Sequence, residues 1–182
     1  MKEKMMPALV LTIICIVVSG LLVFAYNFTK TDKTGQLSQK QIDACVMAFG
    51  QSNYKMLQKG GKPMTFKQVT NVITDELKSN IIFEVVADGY TKDGIDAVIG
   101  LDKSGKVTGI GIVTLKETPG LGTKVTDKTF LDKFLKADET TDLNKIDSIT
   151  GATYSSKGIK SAVEIALKTY NDNKEAILSE LS

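Results

Sequence analysis

A long apolar run is the first feature in the pattern of hydrophobic and polar positions. No charged residue stands between Lys4 and Lys30, and residues 6–26 are almost wholly apolar. About 20 helical residues cross a bilayer core of about 30 Å, so the pattern predicts one transmembrane helix over 6–26. Because Lys2 and Lys4 precede the run, the positive-inside rule predicts a cytoplasmic stub over 1–5 and an extracytoplasmic bulk, in single-pass topology.

A cleaved signal peptide is the alternative interpretation of this run. Its apolar region would be about 7–15 residues long and would end at a small-x-small cleavage site. The run here is longer, and residues 23–25 read Val-Phe-Ala, a poor cleavage site, so an uncleaved anchor is favoured. Polar residues over 27–37 then predict a linker. Residues 38–182 are predicted to form one extracytoplasmic domain.

Helical and strand-like periods follow one another along that domain. The predicted helices run from the cap Ser38 to about Phe49, over Thr129–Leu135, and over Lys157–Tyr170 behind Ser155 or Ser156 as cap, with an exposed tail to about Leu178. The predicted strands are 66–73, 81–87, 95–101 and 107–115, and the polar segments 51–63 and 136–145 predict loops. This order indicates an α+β fold in which helices flank an antiparallel sheet.

Composition excludes several kinds of chemistry. The chain has no histidine, which rules out Ser-His-Asp and Cys-His nucleophile systems and histidine-ligated metals. A net charge of +2 with the two signs interspersed leaves no basic stripe for nucleic acid. Two cysteines are too few for a zinc or iron–sulfur site. Since Cys15 lies in the apolar run and Cys45 in the domain, no internal disulfide is predicted.

Residues 147–155 carry the strongest local signal, with the sequence Asp-Ser-Ile-Thr-Gly-Ala-Thr-Tyr-Ser. Gly151 lets the backbone bend close to a bulky group, and Ala152 keeps the next position small. Thr153 then presents a hydroxyl in an uncrowded loop, just before a predicted helix start whose free N–H groups can bind an anion. The pattern predicts a hydroxyl beside a phosphate-binding helix end, with a plain capped loop as the alternative.

Two sequence blocks carry a resemblance to a known family. Asp147, Thr150, Gly151, Ala152 and Thr153 match the D-x-x-T-G-A-T acceptor motif of proteins that carry FMN covalently. Residues 116–122 read Lys-Glu-Thr-Pro-Gly-Leu-Gly, which resembles the second block of the same family, and the two blocks stand in the family's order. The chain resembles the G subunits of Rnf electron-transport complexes. A histidine often precedes the glutamate by two places in the family, and Leu115 stands there instead.

The resemblance implies a cofactor and a set of site residues. FMN would be joined by a phosphoester to Thr153, outside the cytoplasm, by a flavin transferase that recognises Asp147. The other implied flavin-binding residues are Glu117, Thr118, Gly120, Leu121, Gly122, Thr150, Gly151, Ala152, Ser156 and Lys157. For Glu117 we favour a structural role, accepting from loop N–H groups, over a charge that tunes the flavin. For Lys157, a contact with the phosphate and a solvated position on the helix are equal alternatives.

The resemblance also implies a function. The chain would be the electron-carrying subunit of a membrane-bound ion-translocating ferredoxin:NAD oxidoreductase, partnered by other membrane subunits and not catalytic on its own. The C subunit of the sodium-translocating NADH:quinone reductase and a membrane-tethered non-redox binding module are the alternatives. On the last strand, Gly109 and Gly111 share a face with Val113, opposite Ile110, Ile112 and Thr114. A flavin ring and another strand are equal candidates to cover those glycines.

Overall fold

The computed structural model describes residues 2–29 and 35–181 of the chain. These fall into two compact units, Met1–Lys33 and Thr34–Ser182. The first unit contains a single described helix, α1, over Lys2–Thr29. The predicted anchor over 6–26 lies within α1, and the predicted linker over 27–37 begins as helix, because α1 continues to Thr29. Linker residues 30–34 lie outside the described residues.

The apolar side chains of α1 are exposed wherever they are described, over residues 10–23. Within residues 2–29 and 35–181, no helix has the length and apolar character needed to cross a membrane. The transmembrane anchor over 6–26 therefore stays a prediction.

Helix α2, Gln39–Phe49, begins the second unit as its sequence predicts. Ser38 caps it in a reciprocal pair: the Ser38 N–H donates to Gln41 Oε1 at 2.7 Å, and the Gln41 N–H donates to Ser38 Oγ. Gln41, Ala44 and Cys45 form its buried face. Ile42 and Val46 are only partly buried.

A five-stranded antiparallel sheet in the order β1-β4-β5-β6-β7 forms the centre of the unit. The strands are β1 (Lys55–Met56), β2 (Gln58–Lys59), β3 (Lys62–Pro63), β4 (Val69–Thr74), β5 (Ile81–Ala87), β6 (Ile95–Leu101) and β7 (Val107–Leu115). The last three match the predicted strands residue for residue. The loop predicted over 51–63 is wrong, since it holds β1 at the sheet edge and the small β2–β3 ladder. Such short polar strands carry too few residues to show alternation.

Helices cover both faces of this sheet. Helix α4, Thr153–Glu180, packs on one face over the main apolar core, and α2 packs on the other over a smaller cluster that includes Ala44, Cys45 and Val98. The exposed tail predicted for α4 is wrong. Ile177 is fully buried and Leu181, its C-terminal cap, is 6% exposed, because both belong to the main core.

Between β7 and α4 the chain makes only short helical turns. They are the 3-10 helix Gly122–Thr126, α3 (Lys128–Leu131), and the 3-10 helices Asp132–Phe134 and Leu143–Lys145. The helix predicted over 129–135 is thus split into α3 and a 3-10 turn. Its buried residues Phe130 and Phe134 pack edge to face, with ring centroids 5.4 Å apart. The loop predicted over 136–145 ends in a turn that buries Leu143.

The glycine face of β7 is covered by α2, so both candidates from the sequence are wrong. A Cβ at Gly111 would lie 2.4 Å from the Ala44 carbonyl oxygen, and one at Gly109 would lie 2.8 Å from the Phe49 ring. The predicted face of Thr114 is also wrong. A register shift pairs Asp96 with Thr114 but Ala97 with Ile112, so a bulge at Val113 changes the alternation.

Replacing Gly111 with alanine tests this close packing. Since the new methyl group would meet a backbone oxygen rather than a flexible side chain, we expect Gly111→Ala to lower the free energy of unfolding by about 1–3 kcal/mol. Urea denaturation of the full-length chain measures the change. Met47→Ala, on the exposed side of α2, is the control and should lie within about 0.5 kcal/mol of wild type. Equal stability of wild type and Gly111→Ala would contradict this packing.

Candidate functional site: a cleft at the start of helix α4

The two motif blocks meet in one cleft of about 450 Å³. Three segments form its walls: the loop after β5, the loop after β7, and the start of α4. The lining residues are Tyr90, Glu117, Thr118, Leu121, Gly122, Gly151, Ala152, Thr153, Tyr154 and Ser155. Folding therefore brings the 117–122 block against the 150–153 block, as a shared ligand site requires.

Helix α4 begins one turn earlier than the sequence predicts. Ala152 is its N-cap residue and Thr153 its first residue, and no side chain caps this end. The Ser156 N–H already donates to the Ala152 carbonyl at 2.8 Å, so Ser155 and Ser156 lie inside the helix and are buried. The predicted capping role of the two serines is wrong. The first N–H groups of an uncapped helix have no carbonyl partner within the helix and can bind an anion.

Gly151 gives the loop before α4 its bend. Its φ of +79° lies in the left-handed region, which favours glycine. A Cβ there would lie 3.5 Å from Leu121 Cδ2, so this bend also brings the two motif loops together. Thr153, immediately after the buried Ala152, is exposed at the cleft. Its hydroxyl is therefore accessible to a reactant from solution.

The carboxylate of Glu117 joins the three walls. It is only 7% exposed, and it accepts hydrogen bonds from the Tyr90 N–H and the Thr91 N–H, each at 3.1 Å. It also accepts from the Ser155 hydroxyl on α4. The structural role favoured for Glu117 agrees with these contacts, although the N–H groups belong to the 88–94 loop and not to its own. One side chain thus fixes two loops and a helix relative to one another.

Three glycines make room for this carboxylate. A Cβ at Gly89 or at Gly94 would lie 2.6 Å from Glu117 Oε1, and one at Gly122 would lie 2.8 Å from Ser155 Oγ. Each of these distances is too short for a real contact, so no larger residue fits without moving the carboxylate or its partners. The glycines let backbone N–H groups approach Glu117 closely.

The same contacts keep Glu117 ionised. Burial would raise the pKa of this carboxyl, but hydrogen bonds from Ser155, Thr91 and Tyr90 outweigh it and hold the pKa below its ordinary value of 4.5. At neutral pH the group is therefore an acceptor only. With its oxygens occupied by loop and helix donors, Glu117 is suited to holding the cleft together rather than to exchanging protons.

The rest of the 116–122 block forms a tight turn beside the carboxylate. The carbonyl of Thr118 accepts from the Leu121 and Thr123 N–H groups at 3.2 Å and 3.3 Å. Gly120, with a φ of +75°, donates its N–H to Thr123 Oγ1 at 2.9 Å. This turn leaves Leu121 about half exposed on the cleft wall. Gly120 shapes the turn and lies outside the lining.

Four other predicted site residues do not line the cleft. Ser156 is fully buried, and its hydroxyl accepts from the Ile149 N–H at 3.0 Å, which makes it a structural residue. Lys157 is exposed, with its ammonium 6.0 Å from the centre of the Tyr154 ring. Thr150 and Asp147 are exposed in the preceding loop. Sequence spacing predicts these residues near Thr153, but none of the four is among the residues that line the cleft.

Three lining residues were not predicted as site residues. The sequence predicts Ser155 as a cap, and its contact with Glu117 depends on the helix starting earlier than predicted. Tyr154 follows Thr153 directly, and this adjacency is the one feature of the sequence that could have indicated a place for Tyr154 in the site. Tyr90 comes from the loop after β5, and no sequence pattern links this loop to either motif block.

The cleft fits a flavin mononucleotide in its chemistry. An uncapped helix start beside an exposed hydroxyl suits a phosphate, while Leu121, Tyr90 and Tyr154 provide an apolar and aromatic wall for a flat ring system. Residues 89–168 match the family model of the FMN-binding domain. They include every residue that lines the cleft.

The names of similar proteins are consistent with the match to the FMN-binding domain. The G subunit of the ion-translocating oxidoreductase complex of Aliivibrio fischeri strain MJ11 is 27% identical over 94% of this chain and 92% of its own length. The protein of the same name from Shewanella piezotolerans is 34% identical over 54% of this chain and 52% of its own. The G subunit of the Na⁺-translocating ferredoxin:NAD⁺ oxidoreductase complex of Acetobacterium woodii is 32% identical over 46% and 45%. The matches to the last two thus span about half of each protein. The resemblance drawn from the two motif blocks is confirmed.

Replacing Glu117 tests whether its carboxylate holds the three walls of the cleft together. In Glu117→Gln the amide NH₂ would face N–H or O–H donors, so we expect a loss of about 1.5–3 kcal/mol in the free energy of unfolding at neutral pH. The pKa of Glu117 is lower in the folded protein than in the unfolded chain, where it is near 4.5. The ionised carboxylate therefore contributes its full stabilisation at pH values above 4.5, and the contribution disappears as the pH falls through the pKa of the folded protein. The difference between wild type and variant should therefore shrink in acid.

Urea denaturation at several pH values provides the measurement. Glu175→Gln, at an exposed position on α4, is the matched control, and its stability should follow wild type at every pH. A Glu117→Gln deficit that stayed constant from neutral pH into acid would mean that the carboxylate charge does not hold the loops.

Proposed function

We propose that this chain is the electron-carrying subunit of a membrane-bound, ion-translocating ferredoxin:NAD oxidoreductase of the Rnf type, with FMN joined covalently to Thr153. One observation carries the proposal: Thr153 is exposed at the first residue of an uncapped helix, at the point where the two motif blocks share a cleft. The names of the relatives supply the kind of complex.

Attachment replaces one bond to the flavin phosphorus with another. Thr153 Oγ loses its proton and gains a bond to phosphorus, while a leaving group that an activated flavin nucleotide carries on the same phosphorus departs. A separate flavin transferase supplies the nucleotide and accepts the proton. Asp147 is exposed six residues before Thr153, where a transferase can reach it during recognition of the loop.

The chain's own residues then hold the phosphate end. An esterified phosphate retains one negative charge, which the start of α4 stabilises by about 0.3–1 kcal/mol. Gly151 and Ala152 leave space on the loop side, since Gly151 bends the backbone and Ala152 is buried. When bound, FMN supplies the redox chemistry by accepting and passing on electrons. Glu117 keeps the walls in place during transfer.

Covalent attachment suits a location outside the cytoplasm. A tethered cofactor cannot dissociate, whatever its non-covalent affinity, and so needs no surrounding pool of FMN. Residues 6–26 anchor the chain in the cytoplasmic membrane as a single-pass helix, with the stub 1–5 inside and the flavin domain outside. Support comes from the charge-free stretch between Lys4 and Lys30 and from apolar side chains exposed all around α1 over residues 10–23.

The remaining steps belong to other subunits. The chain contains no nucleotide-binding pattern for NAD and too few cysteines to hold an iron–sulfur cluster that would exchange electrons with ferredoxin. Partner subunits in the membrane therefore bind these reactants and the coupling ion, and Thr153 would hold the flavin that connects them.

A denaturing gel tests both the attachment and the anchor. Membranes from cells that contain the transferase are washed with carbonate, and the solubilised protein is viewed under ultraviolet light. We expect a fluorescent band in the washed membranes for wild type, and a dark band of equal amount for Thr153→Ala, because alanine has no hydroxyl to esterify. Asp147→Asn should lower the fluorescence by weakening recognition.

Thr129→Ala is the control for loss of an exposed threonine outside the cleft, and it should fluoresce like wild type. A dark wild-type band, or equal fluorescence from Thr153→Ala, would contradict the attachment. Release of the protein by carbonate would contradict the anchor alone.

The electron donor tests the kind of complex. With the complex purified intact, we expect reduced ferredoxin to bleach the flavin absorbance of this subunit, and NAD to restore it. A subunit of an NADH:quinone reductase would instead be reduced by NADH and reoxidised by quinone. The Rnf assignment would be contradicted if reduced ferredoxin left the flavin absorbance unchanged while NADH bleached it and quinone restored it. The Thr153→Ala complex provides the baseline without this flavin.

A further inference from the structure

We propose that Tyr90 and Tyr154, with Leu121 beside them, form the wall against which the isoalloxazine ring of the flavin docks. The inference rests on the proposed attachment at Thr153, and it assigns the orientation of the ring to residues outside both motif blocks.

Two large aromatic side chains are unusually exposed at this cleft. Tyr90 is 74% exposed and Tyr154 is 64% exposed. Their rings nevertheless contact each other edge to face, with centroids 6.1 Å apart and planes at 73°. An exposed aromatic pair that lines a concave site indicates a binding surface more than a solvated one.

The position of both rings is fixed by the elements that carry them. Tyr154 is the second residue of α4, directly after Thr153. Tyr90 is held through its backbone N–H, which donates to Glu117 at 3.1 Å. Glu117 also accepts a hydrogen bond from Ser155, the residue after Tyr154 on α4. One carboxylate therefore fixes the positions of the two tyrosines relative to each other. The wall is therefore set before any ring docks.

The chemistry of the wall suits the flavin ring rather than its phosphate. Tyr90, Tyr154 and Leu121 offer flat aromatic and aliphatic surface, and Leu121 is 49% exposed on the same cleft. The ammonium of Lys157 lies 6.0 Å from the Tyr154 ring, which keeps a cation near that ring. A phosphoester at Thr153 fixes one end of FMN only, so a second contact is needed to orient the ring for electron transfer.

The test measures the mobility of the tethered ring. Full-length protein is produced in cells that contain the transferase, and intact mass confirms one flavin on each variant before flavin fluorescence and its anisotropy are recorded. The variants are Tyr90→Leu, Tyr154→Leu, the double leucine variant and the double phenylalanine variant. Leu77→Ala, at an exposed apolar position away from the cleft, is the control.

We expect the undocked fraction of the ring to rise about two- to tenfold in the double leucine variant, since stacking contributes that factor. Anisotropy then falls and flavin fluorescence rises. The double phenylalanine variant keeps the docking and so keeps the anisotropy, but its fluorescence rises because a benzene ring does not quench flavins as a phenol does. The control should match wild type. A merely structural role for the tyrosines would not separate anisotropy from intensity in this way.

Other outcomes overturn the inference. Unchanged anisotropy in the double leucine variant, with flavin on Thr153, removes the docking role and leaves the attachment intact. If the anisotropy is unchanged but the double leucine variant no longer assembles into the complex, the two tyrosines contact another subunit instead. Wild-type protein without any flavin contradicts the attachment and the docking together.

Nitration of tyrosine gives a measurement that needs no variant at these two positions. Tyr90 and Tyr154 should be nitrated more slowly in flavinylated wild type than in Thr153→Ala, because a docked ring shields them. Equal nitration rates at both tyrosines in the two proteins would overturn the docking.

Discussion

One buried carboxylate determines the shape of the candidate site. Glu117 accepts from the loop after β5 and from helix α4 while itself belonging to the loop after β7. Three separate parts of the chain are thereby held around one cleft. Hydrogen bonds from N–H and O–H donors to a carboxylate are stronger than those between neutral groups. This explains how exposed loops can keep a defined geometry at the surface of the domain.

The sheet and its two helical layers provide the rigid base for that arrangement. Helix α4 packs along β5 and β6 with the fully buried residues Ile159, Val163 and Tyr170, so its first turn is set by the core rather than by a capping side chain. Helix α2 covers the opposite face through the glycines of β7. An uncapped helix start costs stability, and the core offsets that cost at the place where an anion would be bound.

Much of the fold could be predicted from the sequence, because the strands β5, β6 and β7 show clear apolar runs between turn residues. The errors have physical causes. The bulge at Val113 breaks the alternation that assigned Thr114 to a face. Ser155 and Ser156 look like caps, but the core extends α4 to Thr153. Both motif blocks were recognisable, whereas Tyr90 was not, because only the folded position of Glu117 brings its loop to Thr153. Contacts between distant segments leave no periodic signal in a single sequence.

We propose that folding presents the Thr153 hydroxyl as the attachment point of FMN, in a cleft whose walls Glu117 holds together. Peptide mapping by mass spectrometry of protein isolated from its own membranes tests it most directly. We expect the peptide containing Thr153 to carry the mass of a flavin phosphate ester, with the modification on that residue. An unmodified Thr153 in the fully processed protein, or a flavin on another residue, would contradict it.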